Sequence, residues 1–61
     1  MNDPLLISVQ EAARLMGISD DAVYRALAND LPHIRVGRVI KIHREGLETW
    51  LREAAAAGRS I

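Results

Sequence analysis

The stretch that most constrains the fold is residues 8–27, SVQEAARLMGISDDAVYRAL, because it signals a helix start, a stop and a second start in quick succession. Ser8 stands three residues before Glu11, the capping-box spacing in which each side chain satisfies a free backbone N–H of the other. Val9, Ala12, Ala13 and Met16 then recur at i, i+3, i+4 and i+7, which places them on one apolar stripe of a helix. Gly17 suits the left-handed position that ends a helix, and Ser19 suits the cap of the next one, starting at Asp20. Val23, Ala26 and Leu27 form the stripe of that second helix, with Ile18 filling the corner. Ala13 is small where the two backbones must approach. The pattern predicts two short helices crossing at a tight turn.

The rest of the chain is arranged around this pair. Its 61 residues predict a single domain, with residues 1–6 and 58–61 frayed, one of Leu5, Leu6 or Ile7 docking back on the core, and Ile7 placed to act as a hydrophobic staple ahead of the Ser8 cap. Pro32 ends the second helix region and turns Leu31 inward. Residues 33–43, HIRVGRVIKIH, alternate as a hairpin does. A three-residue loop of Gly37, Arg38 and Val39 sets Val36 opposite Ile40 and Ile34 opposite Ile42, which keeps all four apolar residues on one face and leaves Arg35 and Lys41 on the other. From Arg44 onward, Leu47, Trp50, Leu51 and Ala54 form a third helical stripe ended by Gly58. The expected fold is mainly α with a small β-hairpin: helix, helix, two-stranded wing, helix, or a winged helix-turn-helix.

Composition removes several functions. No cysteine is present, so disulfide frameworks and thiolate zinc sites are excluded. His33 and His43 flank the hairpin but have no further ligands at metal-site spacing, and Asp20 and Asp21 are adjacent rather than opposed across a cleft. No enzyme activity, metal or cofactor is expected. No run is long enough to span a membrane, and the expected location is cytoplasmic, with the nucleoid. The formal net charge is zero, yet Arg35, Arg38, Lys41 and Arg44 follow one another with no acid before Glu45. Such a basic run in the middle of the chain suits a nucleic-acid surface, although edge strands also carry cations to prevent aggregation.

Four pieces of the sequence, ISVQEAARLMGIS, AVYRAL, LPHIRVGR and HREGLETWL, resemble the excisionase-like and MerR-like winged helix-turn-helix domains of phages, integrating elements and bacterial regulators. The resemblance runs from about residue 7 to residue 51. It implies sequence-specific binding to duplex DNA, with the second helix in the major groove through Ser19, Asp20, Asp21, Tyr24 and Arg25. The wing, with Arg35, Gly37, Arg38, Lys41 and Arg44, would lie on the adjacent minor groove or backbone. Arg25 can bond guanine or a phosphate, or pair with Asp21 one turn earlier. Tyr24 can donate to a phosphate or cover the core edge. Asp20 and Asp21 depart from the small polar or basic residues usual in such domains; they complement the helix dipole, or accept from a cytosine amino group. Trp50 is expected in the core.

The function so implied is that of an architectural accessory factor, an excisionase or recombination directionality factor, which binds near attachment sites and turns a site-specific recombinase (integrase) toward excision. Cooperative self-association on DNA belongs to the same reading. The alternatives are a small transcriptional regulator of the same fold and a protein-interaction module that has lost DNA binding.

Overall fold

The computed structural model describes residues 4–59. Its elements in order are β1 (Leu6–Ser8), α1 (Val9–Met16), α2 (Asp20–Asn29), β2 (His33–Val36), β3 (Val39–His43) and α3 (Arg44–Ala57). Three helices and a small antiparallel sheet make the expected winged helix-turn-helix.

The helix boundaries follow from their caps. Ser8 Oγ accepts from Glu11 N–H at 3.0 Å and Ser19 Oγ from Ala22 N–H at 3.1 Å, each satisfying a donor that the first helical turn leaves open. Gly17, at φ 72°, occupies the left-handed C-terminal position of α1. The reciprocal half of the Ser8 capping box does not form, because the Glu11 carboxylate turns instead to the Arg14 guanidinium one turn on. α3 starts by an unexpected device: His43 Nδ1 accepts from Gly46 N–H at 3.1 Å. A Cβ at position 46 would stand 2.8 Å from that nitrogen and 2.9 Å from Pro32 Cβ, so the glycine permits the close approach of the linker to the helix.

The core joins Ala12 and Ala13 of α1, Val23 and Ala26 of α2, Leu31, Ile42, and Leu47 and Trp50 of α3, with Ile7 and Val9 closing it. Met16, Ile18, Leu27, Ile40 and Leu51 pack around it partly buried. Leu31 turns inward and Trp50 is buried, as expected. The indole N–H donates to Asp30 Oδ1 at 2.6 Å, and the Arg59 guanidinium lies 5.7 Å from the ring centroid while its Nη1 reaches Asp30 Oδ2 at 3.5 Å. This cluster ties the end of α2 to α3 and holds the chain beyond Gly58.

Three sequence expectations require correction. Leu6, expected at the end of a frayed lead-in, joins Ile7 and Ser8 in a third strand, paired antiparallel with β3 through Leu6 opposite His43, Ile7 opposite Ile42 and Ser8 opposite Lys41. The expected fraying at the C-terminal end does not hold through Arg59, and what was expected of residues 1–3 and 60–61 lies outside the described residues. The hairpin loop has two residues, Gly37 and Arg38, not three: Val36 stands opposite Val39, Arg35 opposite Ile40, Ile34 opposite Lys41 and His33 opposite Ile42.

The physical reason lies at the turn. Gly37 has φ 63° and Arg38 does not share the positive φ, the arrangement of a two-residue type II′ turn, whose twist matches that of the strands it joins. Because facing residues of a ladder share a face, the slip moves Ile34 and Val36 to the outside and puts Arg35 and Lys41 on opposite faces. His33 and His43 likewise separate. His33 Nδ1 lies 2.7 Å from Leu31 O, bonding as a donor, while His43 caps α3.

Candidate nucleic-acid interface

α2 presents its polar side by elimination: Ala22, Val23 and Ala26 are buried, so Ser19, Asp20, Asp21, Tyr24 and Arg25 are left exposed. Ser19 Oγ is an acceptor in its cap, and its O–H proton stays available to a phosphate oxygen. The salt bridge between Arg25 and Asp21 does not form.

The structure brings part of this set together with the wing. Gln10, Asp20, Tyr24, Arg38 and Val39 border one shallow depression, formed where the starts of α1 and α2 face the tip of the hairpin. Sequence reasoning missed Gln10. Its signal was its place immediately after buried Val9, which turns it off the apolar stripe, and its side chain can bond the N6 and N7 edge of adenine. Lys41 and Arg44 instead border a second groove, with Glu11, Arg14, Leu15 and Leu51, between α1 and α3.

The cations divide by their partners. Arg14 bonds Glu11, which holds the Glu11 carboxyl below its usual pKa and the guanidinium above its own, mainly through that hydrogen bond. Arg59 pairs with Asp30, and Arg52 bonds Thr49 Oγ1. Arg44, named from sequence as a wing contact, donates from Nε to Pro4 O at 2.9 Å and from Nη1 to Glu48 at 3.4 Å, while its backbone N–H bonds Leu5 O at 2.9 Å. It anchors the segment before β1. Among the described residues, Arg25, Arg35, Arg38 and Lys41 have no side-chain partner. All four lie on α2 or the wing.

Among the described residues, no three histidines, cysteines or carboxylates group as metal ligands would, and no helix is long and apolar enough to cross a membrane.

Comparison with known proteins points the same way. Two curated proteins, one from each of two strains of Mycobacterium tuberculosis and both named "Putative DNA-binding protein", are 40% identical to the chain over 47 residues. The aligned region covers 75% of this chain and 60% of each relative, so the chain spans less than two thirds of the length of the proteins it matches. No solved structure matches at comparable significance. The helix-turn-helix domain family matches residues 6–55, from the start of β1 into the last turns of α3. With both helices, the turn and the wing inside that match, the chain belongs to the helix-turn-helix domain family.

Proposed function

We propose that the chain binds duplex DNA sequence-specifically, with the exposed face of α2 in the major groove and the tip of the wing on the neighbouring backbone. One observation carries this reading: the four cations without a side-chain partner among the described residues all stand on α2 and the wing, whereas Arg14, Arg44 and Arg59 are in ion pairs. Charges left unpaired on the elements that flank one depression suit an anionic ligand. Arg25 and Gln10 supply base-edge contacts, and Tyr24, Ser19, Arg35, Arg38 and Lys41 bond phosphates around them. Gly37 shapes the turn that carries Arg38, and Arg44 acts by holding the wing base. Asp20 and Asp21 favour the start of α2 and lower affinity for phosphates.

The biological role in this reading is that of a recombination directionality factor. Copies bind side by side near attachment sites, bend the DNA and direct a site-specific recombinase toward excision. The two-sided character of the wing supports it, since cations at the tip leave apolar surface for a protein neighbour. A transcriptional regulator of the same fold is the second reading, supported by the DNA-binding names of the relatives.

Fluorescence anisotropy on a selected duplex tests the binding. Three cationic phosphate contacts, from Arg35, Arg38 and Lys41, give a slope of log K against log salt of about −3. No duplex binding at low salt would leave a protein-interaction module as the function. Circular-permutation gels and a recombination assay with the cognate integrase separate the two roles: a bend and a reversed product ratio mark the directionality factor, and binding without either marks the regulator.

A further inference from the structure

The outward face of the wing is apolar. Ile34, Val36 and Val39 are 45%, 51% and 52% exposed, and the register places all three on one face of the hairpin together with Lys41. Grouped exposed side chains of this size mark a surface that another molecule covers. The strand that carries two of them is also an edge, because the order β1-β3-β2 gives β2 a single neighbour.

The backbone of that edge is open at defined positions. In a two-residue hairpin the loop-closing pair, Val36 with Val39, exchanges hydrogen bonds, and such pairs recur at alternate positions. Ile34 with Lys41 is the next. The 3.3 Å bond from His43 N–H to Pro32 O continues the alternation beyond the strand. His33 and Arg35 fall between these pairs, so their N–H and C=O groups point away from β3 toward the free edge. The Arg35 side chain lies on the face opposite the apolar trio and has no side-chain partner among the described residues. No acidic residue occurs between Asp30 and Glu45, so the charged residues of the hairpin, Arg35, Arg38 and Lys41, are all cations.

We propose that the edge of β2 receives an extended peptide strand of alternating apolar and acidic residues from a partner protein. The added strand bonds the open backbone groups of His33 and Arg35, lays its apolar side chains over Ile34 and Val36, and sets its carboxylates on the Arg35 face. Charge selects this occupant. A second copy of β2, paired about a two-fold axis, sets the two Arg35 side chains opposite or diagonal to each other on one face, and no carboxylate of the hairpin stands there to offset them. Duplex DNA seated at the depression reaches Arg38 and Val39 but leaves Ile34 and Val36 uncovered. The strand does not depend on how α2 meets DNA, and at Arg35 its carboxylates compete with a DNA phosphate for one guanidinium.

The test uses the 61-residue chain, labelled for amide NMR, with two synthetic hexapeptides, one alternating Val with Glu and the other Val with Lys. The Val/Glu peptide should shift the amides of His33, Ile34, Arg35 and Val36 and bind at least about tenfold more tightly than the Val/Lys peptide. Ile34→Thr with Val36→Thr should abolish the shifts while the Gly37 and His43 amides keep their positions, showing an intact hairpin. Arg35→Glu should reverse the preference in favour of the Val/Lys peptide. Equal binding of the two peptides, or no reversal in Arg35→Glu, overturns the proposal. So does a concentration-dependent shift of the same amides without peptide, which assigns the edge to a second copy, or a response to duplex DNA with none to either peptide.

Discussion

In the α1–α2 pair, Ala12, Val23 and Ala26 are completely covered, whereas in the wing Ile34, Val36 and Val39 each keep about half of their surface in solvent. Both regions are rich in small and branched apolar residues. The difference lies in what each does with them. The helices face each other across a turn and bury their stripes against α3 and Ile42, so their apolar residues hold the fold. The hairpin reaches past the core, and only its base, through Ile42 and partly Ile40, is anchored in it. A domain of this size has little core to spare, so its stability rests on the helix pair rather than on the wing.

The same substitution made in each region gives the sharpest contrast. Val23→Ala should cost roughly 2 kcal/mol, two buried methyl groups plus the space they leave, while Val36→Ala should cost less than about 0.5 kcal/mol. Urea midpoints at unchanged slope measure both. Equal losses would mean that the wing is covered in solution and that the contrast between the regions is wrong.

Arg25→Ala tests the division of labour on DNA. It should weaken binding to the selected site by about 1–3 kcal/mol and relax the preference at one base pair, with little effect on stability. Anisotropy against single-base variants of the site reads this directly; an unchanged base preference would move Arg25 to the phosphates. A smaller effect is expected at the cap of the same helix, where Ser19→Ala should lower stability by about 1 kcal/mol because the Ala22 N–H loses its acceptor. Thermal unfolding checks it.

The smallest stability change belongs to the wing tip. Arg38→Gln with Lys41→Gln should leave stability within about 0.5 kcal/mol of the parent and flatten the salt slope by about 2, weakening all duplexes alike. Loss of a single unit would place Lys41, which borders the groove between α1 and α3, away from the backbone and leave Arg38 as the tip contact. Parallel slopes would exclude the wing from the phosphates altogether.

Much of the candidate site was legible because it sits on helices. A helix has one repeat, so burying Val23 and Ala26 leaves Tyr24 and Arg25 outward whatever the remainder of the chain does. The wing offered no such guarantee. Gly37 stands at the first loop position, which favours a two-residue type II′ turn, but the wish to gather four apolar residues on one face pointed to a three-residue loop, and the local turn geometry prevailed. Arg44 illustrates a second limit: its charge reads as a DNA contact from sequence, yet a carbonyl forty residues earlier in the chain occupies it.

By itself the sequence determined the helix boundaries, the turn between α1 and α2 and the apolar stripes, because caps, glycine at positive φ and the helical repeat all act over a few neighbouring residues. Only the tertiary structure decided the third strand, the face on which each wing residue lies and which arginines stay unpaired. Those depend on contacts between distant segments: Ile7 meeting Ile42, Pro4 meeting Arg44, Asp30 meeting Trp50 and Arg59. A strand changes face with a slip of one residue, and a charge changes role with one distant partner, so neither can be read from its neighbours alone.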